Sequence, residues 1–221
     1  MSTVPAAPVP LIEPAFKRAL TFVDGQNLFY GAKESFGYDH PNYDILKLAQ
    51  SVCTSQDWHC AGARFYTGVP DLGDNPEKNA FWTAKLAAMG KQGISVYSRS
   101  LRYRNKTVKL PGGKSVSFLI GQEKGIDVRI ALDVIGMAMR NEYDVAIVFS
   151  QDQDLSEVAD EIRVIARQQG RWIRIACAYP NSPVSRNGRG INGTQWIKID
   201  RATYEACIDP KEYRPPKPAK P

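Results

Sequence analysis

Five short apolar runs, none of them cleanly alternating, recur along the chain with helix-period segments between them. They are ALTFVD (19–24), GARFYTGV (62–69), ISVYS (94–98), DVAIVFS (144–150) and WIRIACA (172–178). A strand with one face in water alternates apolar with polar residues, whereas a strand covered on both faces does not. The intervening segments 27–36, 43–53, 76–92, 125–140 and 155–168 read as helices. In 76–92 the apolar positions are Ala80, Ala84, Leu86, Ala87 and Met89, and the segment ends near Gly93. Parallel strands need crossover connections, and helices supply them. The predicted fold is therefore an α/β three-layer sandwich around a central parallel sheet. No internal repeat is visible. A length of 221 residues with 43% hydrophobic content suffices for one core.

The ends read differently from the middle. Residues 1–15 are rich in Pro and Ala and are predicted to be disordered, with neither the basic start nor the unbroken apolar stretch of a signal peptide. The tail 209–221 is rich in Pro and Lys and is also predicted to lack structure, its lysines suited to brushing a polyanion. That places the folded domain at 16–208. No run approaches membrane-spanning length, so no membrane partner is expected. Cys53, Cys60, Cys177 and Cys207 form no CxxC pair, and His40 and His59 are the only histidines. A structural zinc site is disfavoured, and reduced thiols in a cytoplasmic protein are expected. The net charge of +6 permits a polyanion as partner without requiring one.

Two stretches interrupt the strand-helix alternation. Residues 99–118 read as a hairpin turning at Pro111-Gly112-Gly113 and carrying Arg99, Arg102, Arg104, Lys106, Lys109 and Lys114. Residues 180–194 form a Gly/Asn/Ser loop with Arg186 and Arg189, long enough to suggest either function or disorder.

In an open parallel sheet, ligands bind beyond the carboxyl ends of the strands, where the strand order reverses. The first strand ends in Asp24, followed by Gly25, Gln26 and Asn27; the fourth ends in Ser150, followed by Asp152 and Asp154. These two most apolar strands are expected to be central neighbours. Asp127 joins them from the first turn of the 125–140 helix. The apolar face of that helix is read as Val128, Ala131, Leu132, Ile135, Ala138 and Met139, with Asp127 at its edge. Asp133 is assigned to the outward stripe, in an i, i+4 ion pair with Arg129. Taken singly, these carboxylates have ordinary explanations: Asp24 as a helix cap, Asp154 with Glu157 as a capping box. Taken together they repel, and a divalent cation offsets that repulsion. Mg2+ or Mn2+ suits an all-oxygen set. Asp24, Asp127 and Asp152 are the expected ligands of a shared ion, with Asp154 as second choice. Asn27 would orient water or a phosphate. Ser150 would hydrogen-bond either a carboxylate or the substrate backbone. Lys124 is placed either to neutralise phosphate or simply to face solvent.

The segments VDGQN (23–27), KGIDVRIALD (124–133) and VFSQDQDL (148–155) resemble, in order and spacing, the NYN domain, particularly its LabA-like branch within the PIN-like nuclease superfamily. The resemblance covers about residues 18–178. It implies a PIN-like fold and a metal-dependent ribonuclease site, with Asp24 and Asn27 on the first motif, Asp127 on the second, and Asp152 with Asp154 on the last. Lys124 and Asp133 also match recurrent positions, and Asp133 is read as a supporting residue. Gln151 stands where the family commonly has Gly, and Leu155 where it has Phe, so Gln151 is expected to narrow the approach or alter the turn. A further acidic residue of such domains is sought among Asp71, Asp74 and Glu77, none of which the sequence places.

The leading expectation is an endoribonuclease dependent on Mg2+ or Mn2+. Arg102, Arg104 and Lys106 of the hairpin, with Arg186 and Arg189, would hold RNA phosphates. Tyr97, Tyr103 and Trp196 are read either as base platforms or as packing residues. The alternative is an RNA-binding regulatory protein with a weak or inactive site. A haloacid-dehalogenase-like phosphatase would need Asp-x-Asp after the first strand, and a Toprim site Glu at its end; both fit less well. Homodimer formation is left open.

Overall fold

The computed structural model describes residues 10–111 and 115–216. The first nine residues of the expected disordered segment, the Gly112-Gly113-Lys114 part of the hairpin turn and the last five residues of the tail lie outside the described residues. The strands are β1 (Arg18–Asp24), β2 (His59–Val69), β3 (Ser95–Ser100), β4 (Arg102–Lys109), β5 (Ser115–Gln122), β6 (Val145–Phe149), β7 (Arg174–Pro180) and β8 (Gln195–Ile199). The helices are α1 (Gly25–Phe36), α2 (Ile45–Ser55), α3 (Pro76–Lys91), α4 (Ile126–Met139), α5 (Ser156–Gln168) and α6 (Arg201–Ala206).

Six strands form one parallel sheet in the order β3-β2-β1-β6-β7-β8, and β4 pairs with β5 as a separate antiparallel hairpin. The chain winds from β1 outward to β3, then returns to lay β6 against the other edge of β1. That reversal creates a crevice between the two connections, at the carboxyl ends of β1 and β6. The expected neighbours are neighbours: Ala19 to Val23 register against Val145 to Phe149.

Each central strand contributes to two cores. Ala19, Val23, Val145, Ile147 and Phe149 pack with Leu28 and Ala32 of α1, Leu48 and Val52 of α2, and Phe81 of α3. Leu20, Phe22, Ala146 and Val148 pack on the opposite face with Ile130 and Val134 of α4 and Ile162 and Ile165 of α5. Burying each such aliphatic side chain contributes about 1.5–3 kcal/mol, which is why strands lacking alternation settle in the middle layer. Among the described residues no helix is long and apolar enough to cross a membrane.

Three expectations need correction. The buried face of α4 is Ile126, Ile130, Val134 and Ala138, whereas Val128, Leu132 and Met139 are exposed. The segment IDVRIALDVIGMAM is apolar around most of its circumference, so two faces satisfy the helical period. Asp133 does pair with Arg129, at 2.8 Å, but it does not face outward. It also accepts the Tyr66 hydroxyl at 2.7 Å and a bond from Arg64 at 3.2 Å. Burial acts to raise its pKa, yet the Tyr66 hydroxyl and the arginines outweigh burial and hold it below the usual carboxylate value. Finally, the hairpin arms end at Gln122 rather than 118, because Arg99 and Ser100 continue β3 against Gly68 and Val69.

Beyond residue 208 the chain still packs on the domain. Lys85 of α3 is 1% exposed; its Nζ donates to the Tyr43 carbonyl at 3.0 Å and meets Asp209 at 3.3 Å. The Tyr213 ring lies 4.9 Å from the same ammonium.

Candidate active site

Asp24 ends β1 and begins α1. Its Oδ1 accepts the Asn27 N–H at 2.9 Å, so the capping role expected for it is real. Gly25 follows because a Cβ there would lie 2.4 Å from Phe65 Cζ in the core. Across the β1–β6 junction, the Ser150 hydroxyl donates to Asp24 Oδ2 at 3.4 Å and accepts the Asp152 N–H at 3.1 Å. Ser150 is 1% exposed. Of its two expected roles, the carboxylate partner is the one observed. Asp152 caps the single turn Gln153–Leu155 by accepting the Asp154 N–H at 3.1 Å. The capping box on Asp154 is therefore not formed: α5 starts after Leu155 with no side-chain cap. Asp154 itself is exposed and is not among the residues lining the cavity described next.

The second motif arrives from the hairpin. Gly125 takes φ +73°, a left-handed conformation that favours glycine, and turns the chain from β5 into α4. Just before it, Glu123 folds inward and accepts the Gly68 N–H. Just after it, Asp127 sits in the first turn of α4. A cavity of about 620 Å³ results, lined by Asp24, Glu34, Glu123, Asp127 and Asp152 with Lys124 at its edge. Burial pushes the Asp24 carboxyl up to about 6; the Asn27 N–H opposes this and the Asp152 charge adds to it. Burial, helped by the charges of Asp24 and Asp127 and opposed by the Gly68 N–H, likewise pushes Glu123 up to about 7. Asp24, Glu123, Asp127 and Asp152 thus form a chain of repelling neighbours. Glu123 lines this cavity, whereas Asp71, Asp74 and Glu77, among which a further acidic residue was sought, do not. Its position two residues before the Gly of KGID was the available signal, hidden by ending the hairpin at 118.

Residues 18–182 match the family model described as the NYN domain. The chain belongs to the NYN domain family. Its parallel sheet flanked by helices on both faces is the PIN-like fold expected of that family. Among solved structures, a protein of unknown function from Vibrio parahaemolyticus is 17% identical, covering 86% of this chain and 98% of its own, with a TM-score of 0.48. A ribokinase from Giardia lamblia is 10% identical over 78% of this chain and 53% of its own, TM-score 0.36. MurG from Acinetobacter baumannii is 11% identical over 82% and 45%, TM-score 0.31. At these identities and scores none bears on function. No curated protein matches the chain.

Within this NYN domain the remaining expected residues divide. Asn27 lines the cavity and its side-chain oxygen accepts the Gln151 N–H at 2.9 Å. The Gln151 side chain turns to the long loop, donating to the carbonyls of Asn187 at 3.0 Å and Arg189 at 2.8 Å. Arg186 and Arg189 are exposed on that loop, and the Arg186 N–H is bound by Glu34. Arg102, Arg104 and Lys106 are exposed at alternate positions of β4 and so share one face of the hairpin. The three aromatic candidates have packing partners. Tyr97 stacks under Arg129 at 5.1 Å, the Tyr103 hydroxyl donates to Asp74 at 3.1 Å, and Trp196 Nε1 donates to the Ile191 carbonyl at 2.8 Å.

Among the described residues, no three His, Cys, Asp or Glu side chains are grouped closely enough to hold a metal ion. The NYN carboxylates ring their cavity rather than converge on one point. In donor chemistry they nonetheless suit a hard divalent cation: every acidic group is an oxygen donor, burial raises Asp24 and Glu123 with Asp152 adding to the first and Asp24 and Asp127 to the second, and among the described residues Lys124 is the only cationic side chain on the lining.

Proposed function

We propose that this NYN domain is a metal-dependent endoribonuclease that hydrolyses RNA phosphodiester bonds. The observation carrying the proposal is the set of mutually repelling carboxylates, Asp24, Glu123, Asp127 and Asp152, on one cavity at the point where the sheet reverses its winding. Asp24, Asp127 and Asp152 would hold Mg2+ or Mn2+, and Glu123 adds a fourth oxygen donor. When bound, such an ion lowers the pKa of water and steadies charge on phosphate oxygens.

The rest follows from the chain's own groups. Ser150 holds Asp24 in place, and the Asn27–Gln151 bond fixes the tip of β6 that carries Asp152. An acidic cavity alone repels RNA. The exposed Arg102, Arg104 and Lys106 of the hairpin and Arg186 and Arg189 of the loop offset that repulsion, and Lys124 meets the phosphate at the cavity edge. The sheet order equals that of dinucleotide-binding folds, but Asp24 caps α1 where those folds place a pyrophosphate. A carboxylate there opposes a nucleotide cofactor and favours a cation.

The test is incubation of the full chain with a panel of RNAs in Mn2+, beside Asp127→Asn. Internal cleavage by the wild type, reduced at least 100-fold in the variant with RNA binding retained, is expected; losses of that order accompany removal of an electrostatic group acting on the transition state. If wild type and variant both bind RNA and leave it intact, the chain is an RNA-binding regulatory protein instead.

A further inference from the structure

A second cavity, of about 820 Å³, adjoins the acidic one, and Gln26 and Tyr30 line both. It opens between α1, α3 and the root of the hairpin, and its lining is different in kind. Phe29, Tyr30, Phe81 and Trp82 contribute aromatic surface. The Phe29 and Tyr30 rings lie 5.3 Å apart, and Phe81 meets Trp82 edge-on at 5.3 Å. Phe81 and Trp82 are nearly buried and form the floor, whereas Tyr30 is 55% exposed and stands between the two cavities. Lys33 of α1 and Lys78 of α3 are exposed at the rim. Neither makes an ion pair among the described residues, while Arg214 is held by Glu212 and Asp39 by His40. Glu77 is the remaining acid on this rim.

An exposed tyrosine shared with a proposed cleavage site, an aromatic floor and two free lysines together fit a flat aromatic ring attached to a phosphate. We infer that this cleft is a subsite for an unpaired nucleobase of single-stranded RNA, next to the phosphate presented to the carboxylates. The inference rests on the ribonuclease reading and names its substrate class. A base in a duplex is covered by its partner and its stack and cannot enter such a cleft; a base in a single strand can. The tail of this chain is the competing occupant, since Arg214 and Pro215 reach the cleft. Its onward sequence carries Lys217 and Lys220, the wrong charge for a rim of lysines.

The experiment uses the full chain in chelator, so that nothing is cleaved. Short mixed-sequence oligoribonucleotides carrying one 4-thiouridine at successive positions are cross-linked by light, and the labelled peptides identified. Cross-links are expected at 29–33 or 78–82 for at least one position. The single strand is expected to bind more tightly than the same strand in a duplex. Lys33→Glu combined with Lys78→Glu should weaken single-strand binding about tenfold, with hydrolysis of bis(p-nitrophenyl) phosphate in Mn2+ unchanged. Cross-links confined to the hairpin or the 180–194 loop, equal binding of the duplex, or wild-type affinity in the double variant would each overturn the subsite. Cross-linking needs no turnover, so a chain that never cleaves yet cross-links here loses the ribonuclease reading and keeps the subsite. A chain that cleaves without cross-linking here loses the subsite alone.

Discussion

The side-chain oxygen of Asn27 accepts the backbone N–H of Gln151 at 2.9 Å, tying the first turn of α1 to the tip of β6. This bond uses the backbone of residue 151, so it is indifferent to the side chain there. The Gln151 side chain serves another purpose, holding the loop carbonyls of Asn187 and Arg189. The two roles separate experimentally. Asn27→Ala leaves a partly buried N–H without its partner and should cost about 1–2 kcal/mol in chemical denaturation. Gln151→Gly keeps the Asn27 bond and should accelerate amide hydrogen exchange through 187–190. Unchanged exchange there would show that the loop is held by other contacts.

Asp24 is stabilised by its cap yet opposed by burial and by Asp152. Its carboxyl moves from 3.8 to about 6 on folding, a difference of about 3 kcal/mol between its protonation states. The sign follows: a pKa raised by folding leaves stability intact below pH 4 and removes it as pH climbs through 6. Asp24→Asn keeps an N-cap acceptor and removes the charge. In chelator at pH 8 this variant should be more stable than wild type by about 2–3 kcal/mol, and the gain should vanish at pH 4. A variant less stable than wild type at pH 8 would mean that Asp24 is not electrostatically strained.

How much of this was legible depended on how many ways a pattern could be satisfied. β1 and β6 admit one reading, because unbroken runs such as TFV and VAIVF fit only a strand covered on both sides, and the turn residues after them placed Asp24 and Asp152 together. α4 admits two readings, since apolar residues surround it; the helix was legible and its buried face was not. β8, QWIKI, alternates as an edge strand does and follows directly on a glycine-rich loop, so it passed unread. Glu123 was concealed for a related reason. Polar, alternating arms give no clear end to a hairpin exposed on both faces, and a boundary drawn four residues early left the residue that enters the cavity without a structural address. The roles of Ser150 and Asp154 turned on a single 3-10 turn, which no propensity distinguishes from the start of α5.

Arg102, Arg104 and Lys106 stand on one face of β4 opposite Gln122, Ile120 and Phe118. Same-face residues on a strand repeat about every 6.8 Å, a spacing well matched to successive phosphates of an extended polynucleotide. If all three contact phosphate, replacing them with Ala should reduce the slope of log K against log salt for single-stranded RNA by about 2. Stability should hardly change, because the three side chains are exposed. A slope equal to that of wild type would remove this face of the hairpin from the binding surface.

Lys85 offers a prediction in which two substitutions at one contact have opposite outcomes. Its ammonium is buried between the Tyr43 carbonyl, the rings of Tyr43 and Tyr213, and Asp209. Burial lowers its pKa, and Asp209 is the main group working against that. Asp209→Ala strands the charge in an apolar setting, and breaking such a pair from one side costs about 3–5 kcal/mol at full burial. The carbonyl and the rings soften the loss here, so about 2–3 kcal/mol is expected in denaturant unfolding. Lys85→Met removes the charge itself and fills the same space, and replacements of that kind are often neutral or stabilising. Yet it also removes the donor that pins residue 209 to α3. Lys85→Met should therefore unfold near the wild-type midpoint while limited proteolysis cuts the segment 209–214 faster. Equal destabilisation by both substitutions would show that the contact contributes through packing, and that the buried charge has no special cost.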